Sequence, residues 1–173
     1  MTAAQSLVRD CSPYAAAIDR MIHDAFASRF GSGDEEVAIV RDLRAAGDVV
    51  AELAVVEDGA PVGHAMFSRV AAEPTSLRVA ALAPVAVRID RQRQGIGDSL
   101  IRAALVDCAA SGIEAVIVLG DEYYRRFGFR AELLTGIACA FAGEHLQGLE
   151  LRPGAFAGAC VLSYAPAFQS PGL

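Results

Sequence analysis

The stretch from Leu77 to Leu119 limits the possible folds more than any other part of this chain. Leu77 to Val87 is an apolar run long enough for a strand buried on both faces. A polar loop rich in Arg and Gln follows, from Arg88 to Gln94, and Gly95-Ile96-Gly97 then opens a helical pattern. Ile101, Ala104, Leu105 and Cys108 fall on one helical face, Gly112 ends it, and Ala115 to Leu119 is a second continuous apolar run. Strand, helix and strand in that order make a crossover, and a crossover of this length joins parallel strands. Pro84 lies inside the first strand. A proline has no N–H to donate, so pairing there must be interrupted or bulged.

The flanking segments pair differently. Val49 to Val56 and Val62 to Val70 read as strands around Asp58-Gly59, a hairpin signal. Ser6 to Arg9 is a short first strand. Ser12-Pro13 starts an amphipathic helix carrying Tyr14, Ile18, Met21, Ile22 and Phe26. Asp34 caps a second helix with Val37, Val40 and Leu43, which stops at Gly47. Asp121 to Phe127 is a helix of one or two turns. Thr135 to Phe141 and Ala157 to Tyr164 are expected as final strands, with Glu144 to Gly148 in the loop between them. The fold class is therefore α/β: a mixed, mostly antiparallel sheet around one parallel pair, with flanking helices, as a single domain over residues 1–173.

Composition removes several function classes. The chain is 54% hydrophobic and 21% charged, which excludes a disordered protein. The longest strongly apolar run free of charge, Val79 to Val87, has nine residues, against the about 20 of a membrane span. Arg9 and Asp10 stand where the apolar part of a secretory signal would lie. A cytoplasmic protein without membrane contact is expected. A net charge of −6 argues against generic nucleic-acid binding. Every one of the 15 basic residues is Arg, so Schiff-base lysine chemistry and a Walker lysine are ruled out. Cys11, Cys108, Cys139 and Cys160 form no Cys-x-x-Cys pair and have no His at ligand spacing, so no metal site and no disulfide is expected.

The chemistry concentrates at Gln92-Arg93-Gln94-Gly95-Ile96-Gly97. Glycines at a helix start let backbone N–H groups approach an anion, and Arg88, Arg91 and Arg93 add positive charge. A phosphate or pyrophosphate ligand fits. A dinucleotide fingerprint requires a third glycine, and position 100 is Leu. The lesser alternative is a tight strand-to-helix turn that uses the glycines without a ligand.

Gln92-x-x-Gly95-x-Gly97 also matches the Gln/Arg-x-x-Gly-x-Gly/Ala signature of the GNAT superfamily of N-acetyltransferases. The interrupted strand Leu82 to Val87, the strand Ala115 to Asp121 and the Tyr124-x-Arg126-Phe127-Gly128-Phe129 segment are similar to that family's elements in the same order. Leu149 to Gly154 and Tyr164-x-Pro166-x-Phe168 resemble a bacterial branch of it. The resemblance covers essentially the whole chain. Arg88-Ile89 departs from the His-Pro or similar pair common at that point.

The resemblance implies that the parallel strands splay and that acetyl-CoA, as co-substrate, fills the gap. Val85, Ala86 and Val87 would line the pantetheine arm, with backbone groups of Val85 and Val87 pairing to it. N–H groups from Arg93, Gln94, Gly95, Ile96, Gly97 and Asp98 would hold the pyrophosphate, and Ser99 would add a hydroxyl. Tyr124, four residues before Gly128, takes the family's general-acid position, with Tyr123 as its rival. Glu52, His64, Asp121 and His145 are the ionisable residues to inspect for a base, beside a water chain. The expected reaction is direct acetyl transfer to a primary amine of a small acceptor. A non-catalytic CoA-binding module and a transferase of longer acyl chains are the alternatives. Homodimers are common in the family, and nothing in the sequence selects one.

Overall fold

The computed structural model describes residues 4–169. Within them eight strands form one sheet, with β1 (Gln5–Val8), β2 (Val49–Glu57), β3 (Ala60–Glu73), β4 (Val79–Val87) and β5 (Ala115–Leu119) side by side in chain order. The β2–β3 hairpin turns on Asp58 at φ 50° and Gly59 at φ 79°, the positive pair that a two-residue turn requires. The neighbours from β1 to β4 are antiparallel, and β4 pairs with β5 in parallel.

Three helices cover the sheet. α1 (Ala15–Phe30) and α2 (Asp34–Ala46) pack Ile18, Ile22, Val40 and Leu43 on the face that carries Ala54, Met66, Val79 and Ile117. α3 (Ile96–Ala110) packs Leu100, Ile101, Ala104 and Cys108 on the opposite face, against Leu53, Phe67, Leu82 and Val116. Strands β4 and β5 are covered on both faces, so their central residues are apolar without alternation.

The last third departs from the expected pattern. Leu146 to Glu150, expected as partly loop, is strand β7 and lies antiparallel along the full length of β5. Gly148 marks the reason: a Cβ there would press on Leu134 and Phe156, which fill the space above it. The strand is held by packing across its bare Cα rather than by its own propensity. Thr135 to Phe141 shrinks to β6 (Ala138–Cys139), because Gly136 at φ 82° turns the chain first. Ala157 to Tyr164 shortens to β8 (Val161–Tyr164), which pairs with β3 beyond the end of β2. The helix starts also differ. Cys11, not Ser12, stands at the cap position of a 3-10 turn (Ser12–Tyr14) that leads into α1. Gly33, not Asp34, precedes α2; Asp34, Glu35 and Glu36 occupy its first turn, where they favour the helix dipole.

Pro84 sets the sheet's central irregularity. Ala83 and Pro84 together face the single residue Met66, between the pairs Phe67–Leu82 and Ala65–Val85. This is a bulge, and a bulge bends its strand. Pairing of β4 with β5 stops at Ala81–Ile117, so Leu82 to Val87 run on with no strand on that side.

Candidate active site

The free edge of β4 is a definite set of groups. The Arg88 N–H donates to the Val62 carbonyl across the β3 register at 2.9 Å. Backbone direction alternates along an antiparallel strand. Ala86 therefore faces β3 as Arg88 does, while Val85 and Val87 present their N–H and carbonyl groups to the gap beside β5. Ala86 offers the gap no backbone group, and its side chain is buried on the α1 face.

Beyond Val87 the chain passes through the 3-10 turn Ile89–Arg91 into the glycine loop. Gln92 Nε2 donates to the Val87 carbonyl at 3.1 Å and ties the loop to the strand end. Arg93 at φ 63° and Gly95 at φ 82° both adopt the left-handed region, which turns successive N–H groups the same way. Among the described residues, the N–H groups of Arg93, Gln94, Gly95, Ile96, Gly97 and Asp98 have no acceptor, and no side chain caps α3. Six adjacent donors at a helix N-terminus make an anion cradle.

The three arginines divide in their roles. Arg88 is paired with Asp90 at 2.6 Å, and Arg91 with Glu57 at 2.7 Å and Asp90 at 2.8 Å. Arg93 has no ion-pair partner among the described residues, so it alone carries free charge beside the cradle. The Ser99 hydroxyl donates to the Ile96 carbonyl at 2.9 Å.

The other side of the gap is the end of β5. Asp121 caps the 3-10 turn Glu122–Phe127 by accepting from the Tyr123 N–H at 2.9 Å. Gln147 on β7 holds this corner: its buried Nε2 donates to the carbonyls of Gly120 and Asp121 at 3.0 and 2.9 Å. A Cβ at Gly120 would collide with the Tyr124 ring, so glycine is what lets that ring lie against the strand end.

The two tyrosines separate clearly. Their rings meet edge to face at 5.2 Å. The Tyr123 hydroxyl donates to Asp98 Oδ1 on α3 at 2.8 Å. Burial, that hydrogen bond and the Asp98 charge all hold its proton tightly and raise its pKa. The Tyr124 hydroxyl has no partner among the described residues, and its ring packs edge to face on buried Phe129. Burial raises its pKa, with Asp121 adding to the effect and Arg29, from the last turn of α1, opposing it. Tyr124 thus keeps a proton at neutral pH with its hydroxyl uncommitted.

His64 and Glu52 belong to a different assembly. His64 is fully buried, and its Nε2 lies 2.9 Å from Glu52 Oε1. Arg44 links Glu52 to Asp19, and Arg41 also pairs with Asp19 at 2.8 Å. The network pins α1 and α2 to β2 and β3. His145 is exposed, with Glu144 at 3.6 Å. Among the described residues no three His, Cys, Asp or Glu side chains stand together as a metal site, and no helix is long and apolar enough to cross a membrane.

Sequence reasoning missed Gly120, Gln147 and Arg126. Gln147 lay in a segment expected to be loop. Arg126 stood in the segment from Tyr124 to Phe129 without a role of its own, because its partners are Asp98, 28 positions away, and the Tyr123 ring on its own turn.

Residues 49–131 match the model of the acetyltransferase (GNAT) domain. An uncharacterised N-acetyltransferase, YhbS of Escherichia coli K12, is 32% identical over 122 residues, 69% of this chain and 73% of that protein. The chain belongs to the GNAT family. Among solved structures, the GNAT family N-acetyltransferase YhbS from Escherichia coli in complex with CoA superposes at a TM-score of 0.89, with 27% identity over 100% of this chain and 96% of the other. A GNAT family acetyltransferase from Brucella melitensis in complex with acetyl-CoA gives 0.81, with 32% identity over 95% and 98%. The sheet is the expected mixed, mostly antiparallel one with the central parallel pair β4–β5, whose pairing stops part-way; the short β6 adds a second parallel pairing, with β8.

Proposed function

We propose that this GNAT acetyltransferase binds acetyl-CoA in the gap between β4 and β5 and moves its acetyl group directly to a primary amine of a small acceptor in the cytoplasm. One observation carries this reading. The free edge of β4 at Val85 and Val87 leads straight into six unpartnered N–H groups, and an uncommitted tyrosine hydroxyl stands at the opposite lip. An extended amide chain ending in a pyrophosphate suits the first two features, and the thioester suits the third. Both CoA-bound relatives support the same ligand.

In this reading Val85 and Val87 pair with the pantetheine amides as an added strand would. Arg93 to Asp98 hold the pyrophosphate through their N–H groups, and the free Arg93 guanidinium adds charge. The neutral amine attacks the thioester carbonyl, and its carbon–nitrogen bond forms as the carbon–sulfur bond breaks. Donors fixed on the strand edge stabilise the oxyanion without reorganising. The electron pair leaves on the CoA sulfur, and the Tyr124 hydroxyl protonates it. A phenol suits this task, since its ordinary pKa of about 10 lies near that of a thiol and already keeps it protonated at neutral pH. Tyr124 then recovers its proton from solvent, which also takes the proton released by the new amide nitrogen.

The test compares the parent with Tyr124→Phe, using calorimetric titration with acetyl-CoA and a thiol-release screen of small amines. The parent binds acetyl-CoA and releases CoA with at least one amine. Tyr124→Phe keeps binding while turnover falls roughly 10²- to 10⁴-fold, the range for loss of a positioned acid. Full turnover in Tyr124→Phe removes the acid role, and absence of acetyl-CoA binding by the parent overturns the reading as a whole.

A further inference from the structure

Resting on the pyrophosphate reading above, we infer that Tyr123 and Arg126 are positioning residues: they hold the Asp98 carboxylate out of the anion cradle and so keep it open for acyl-CoA. Asp98 is the third residue of α3. An acid in that place ordinarily reaches back to the free N–H groups at its helix start, where both hydrogen bonding and the helix dipole favour it. Here those N–H groups are the cradle. An Asp98 carboxylate turned onto them would fill the donors and set a negative charge where a polyanion binds.

The side chain is instead drawn the other way. Tyr123 donates its hydroxyl to Asp98 Oδ1 at 2.8 Å, and Arg126 stands at 3.5 Å from the same oxygen. Arg126 also fixes its partner: its guanidinium carbon lies 4.4 Å from the centre of the Tyr123 ring, and its Nε donates to the Tyr123 carbonyl at 3.1 Å. Gly97 belongs to the same arrangement. A Cβ at Gly97 would stand 3.1 Å from the Tyr123 hydroxyl, so the bare Cα makes room for the oxygen beside α3. With these contacts in place, α3 has no side-chain cap. The clasp also joins the lip of β5 to the lip of β4, since Tyr123 and Arg126 follow one and Asp98 follows the other.

The arrangement predicts a rescue that simple packing does not. Tyr123→Phe keeps the ring and frees the carboxylate. Acetyl-CoA affinity, measured by calorimetric titration, is expected to fall about tenfold, equal to about 1.4 kcal/mol. Adding Asp98→Asn to Tyr123→Phe removes the competing charge and restores affinity to within about twofold of the parent, so the two changes are strongly non-additive. Asp98→Asn alone tightens binding slightly. In turnover the deficit of Tyr123→Phe appears in KM for acetyl-CoA, with kcat retained. If Tyr123→Phe does not fold, Arg126→Met disturbs the clasp from its exposed side and is read with the same Asp98→Asn rescue. Parental affinity in the folded single variant overturns the inference. So does a loss that Asp98→Asn leaves uncorrected, which would make Tyr123 a packing residue or a direct ligand contact. Failure of the parent to bind acetyl-CoA is a different result, since it overturns the functional reading and not the clasp alone.

Discussion

Glu52→Gln tests how the buried charge network supports the sheet beneath the gap. The Glu52 side chain is 14% exposed. Burial alone would raise its pKa, yet hydrogen bonds from His64 and Arg44 outweigh burial and bring it from 4.5 to about 2. At about 1.4 kcal/mol per pH unit, that fall makes the ionised group worth roughly 3 kcal/mol to the folded state. The sign follows from proton binding. Between pH 4.5 and 2 the unfolded chain takes up a proton at Glu52 that the folded chain refuses. The contribution is therefore complete above about pH 4.5 and is lost as pH falls toward 2. Urea unfolding followed by circular dichroism, parent against Glu52→Gln, isolates it from the other carboxylates. The gap between the two proteins is expected to be roughly 3 kcal/mol at pH 7 and to shrink by about half at pH 3. A gap of the same size at both pH values would refute the account, because the loss would then owe nothing to the charge. The result matters to the site through His64, which pairs with Ala86 between the two β4 residues that face the gap.

Two further outcomes are expected. Gly95→Val puts a β-branched residue at φ 82°, a strain of about 1–2 kcal/mol or more, without any clash inside the protein; the variant folds but fails to bind acetyl-CoA by calorimetry, and unchanged affinity would remove the cradle from the site. Burial pushes the Cys11 and Cys108 thiols up to about 12 and also raises Cys160, while Cys139 is partly exposed. A chromogenic thiol reagent at pH 7.5 should therefore react promptly with one thiol in the native protein and with all four in denaturant; rapid native reaction of more than one would contradict the burial of Cys11, Cys108 and Cys160.

What could be read beforehand was local in origin. Asp58-Gly59 specifies its turn by backbone preference, Pro84 removes a donor wherever its strand lies, and Gly95-Ile96-Gly97 marks a helix start after a buried strand. Each signal rests on a few adjacent residues and survives any tertiary setting. Strand β7 was different. Leu146-Gln147-Gly148-Leu149-Glu150 has weak strand character, with a glycine at its centre, and becomes a strand because β5 offers an open edge and Leu134 and Phe156 cover its bare Cα. Propensity carries no record of such a partner.

The arginines and tyrosines show the same limit at the level of chemistry. Arg88, Arg91 and Arg93 are equal as letters, and proximity to the glycines suggested three charges for an anion. Asp90 takes up Arg88 locally, folding brings Glu57 from the hairpin onto Arg91, and of the three only Arg93 is left unpaired, so partners that the letters do not mark decide which charge is available. Tyr123 and Tyr124 are likewise adjacent and chemically identical, and spacing to Gly128 chose between them by resemblance alone. The structure supplies a physical distinction instead. The Tyr123 hydroxyl donates a hydrogen bond to Asp98, while Tyr124 rests on Gly120 and Phe129 with its hydroxyl uncommitted. One ring can therefore hold the cradle open while the other stays free to donate, and the opposite outcomes expected for Tyr123→Phe and Tyr124→Phe, affinity lost in one and turnover in the other, follow from that division.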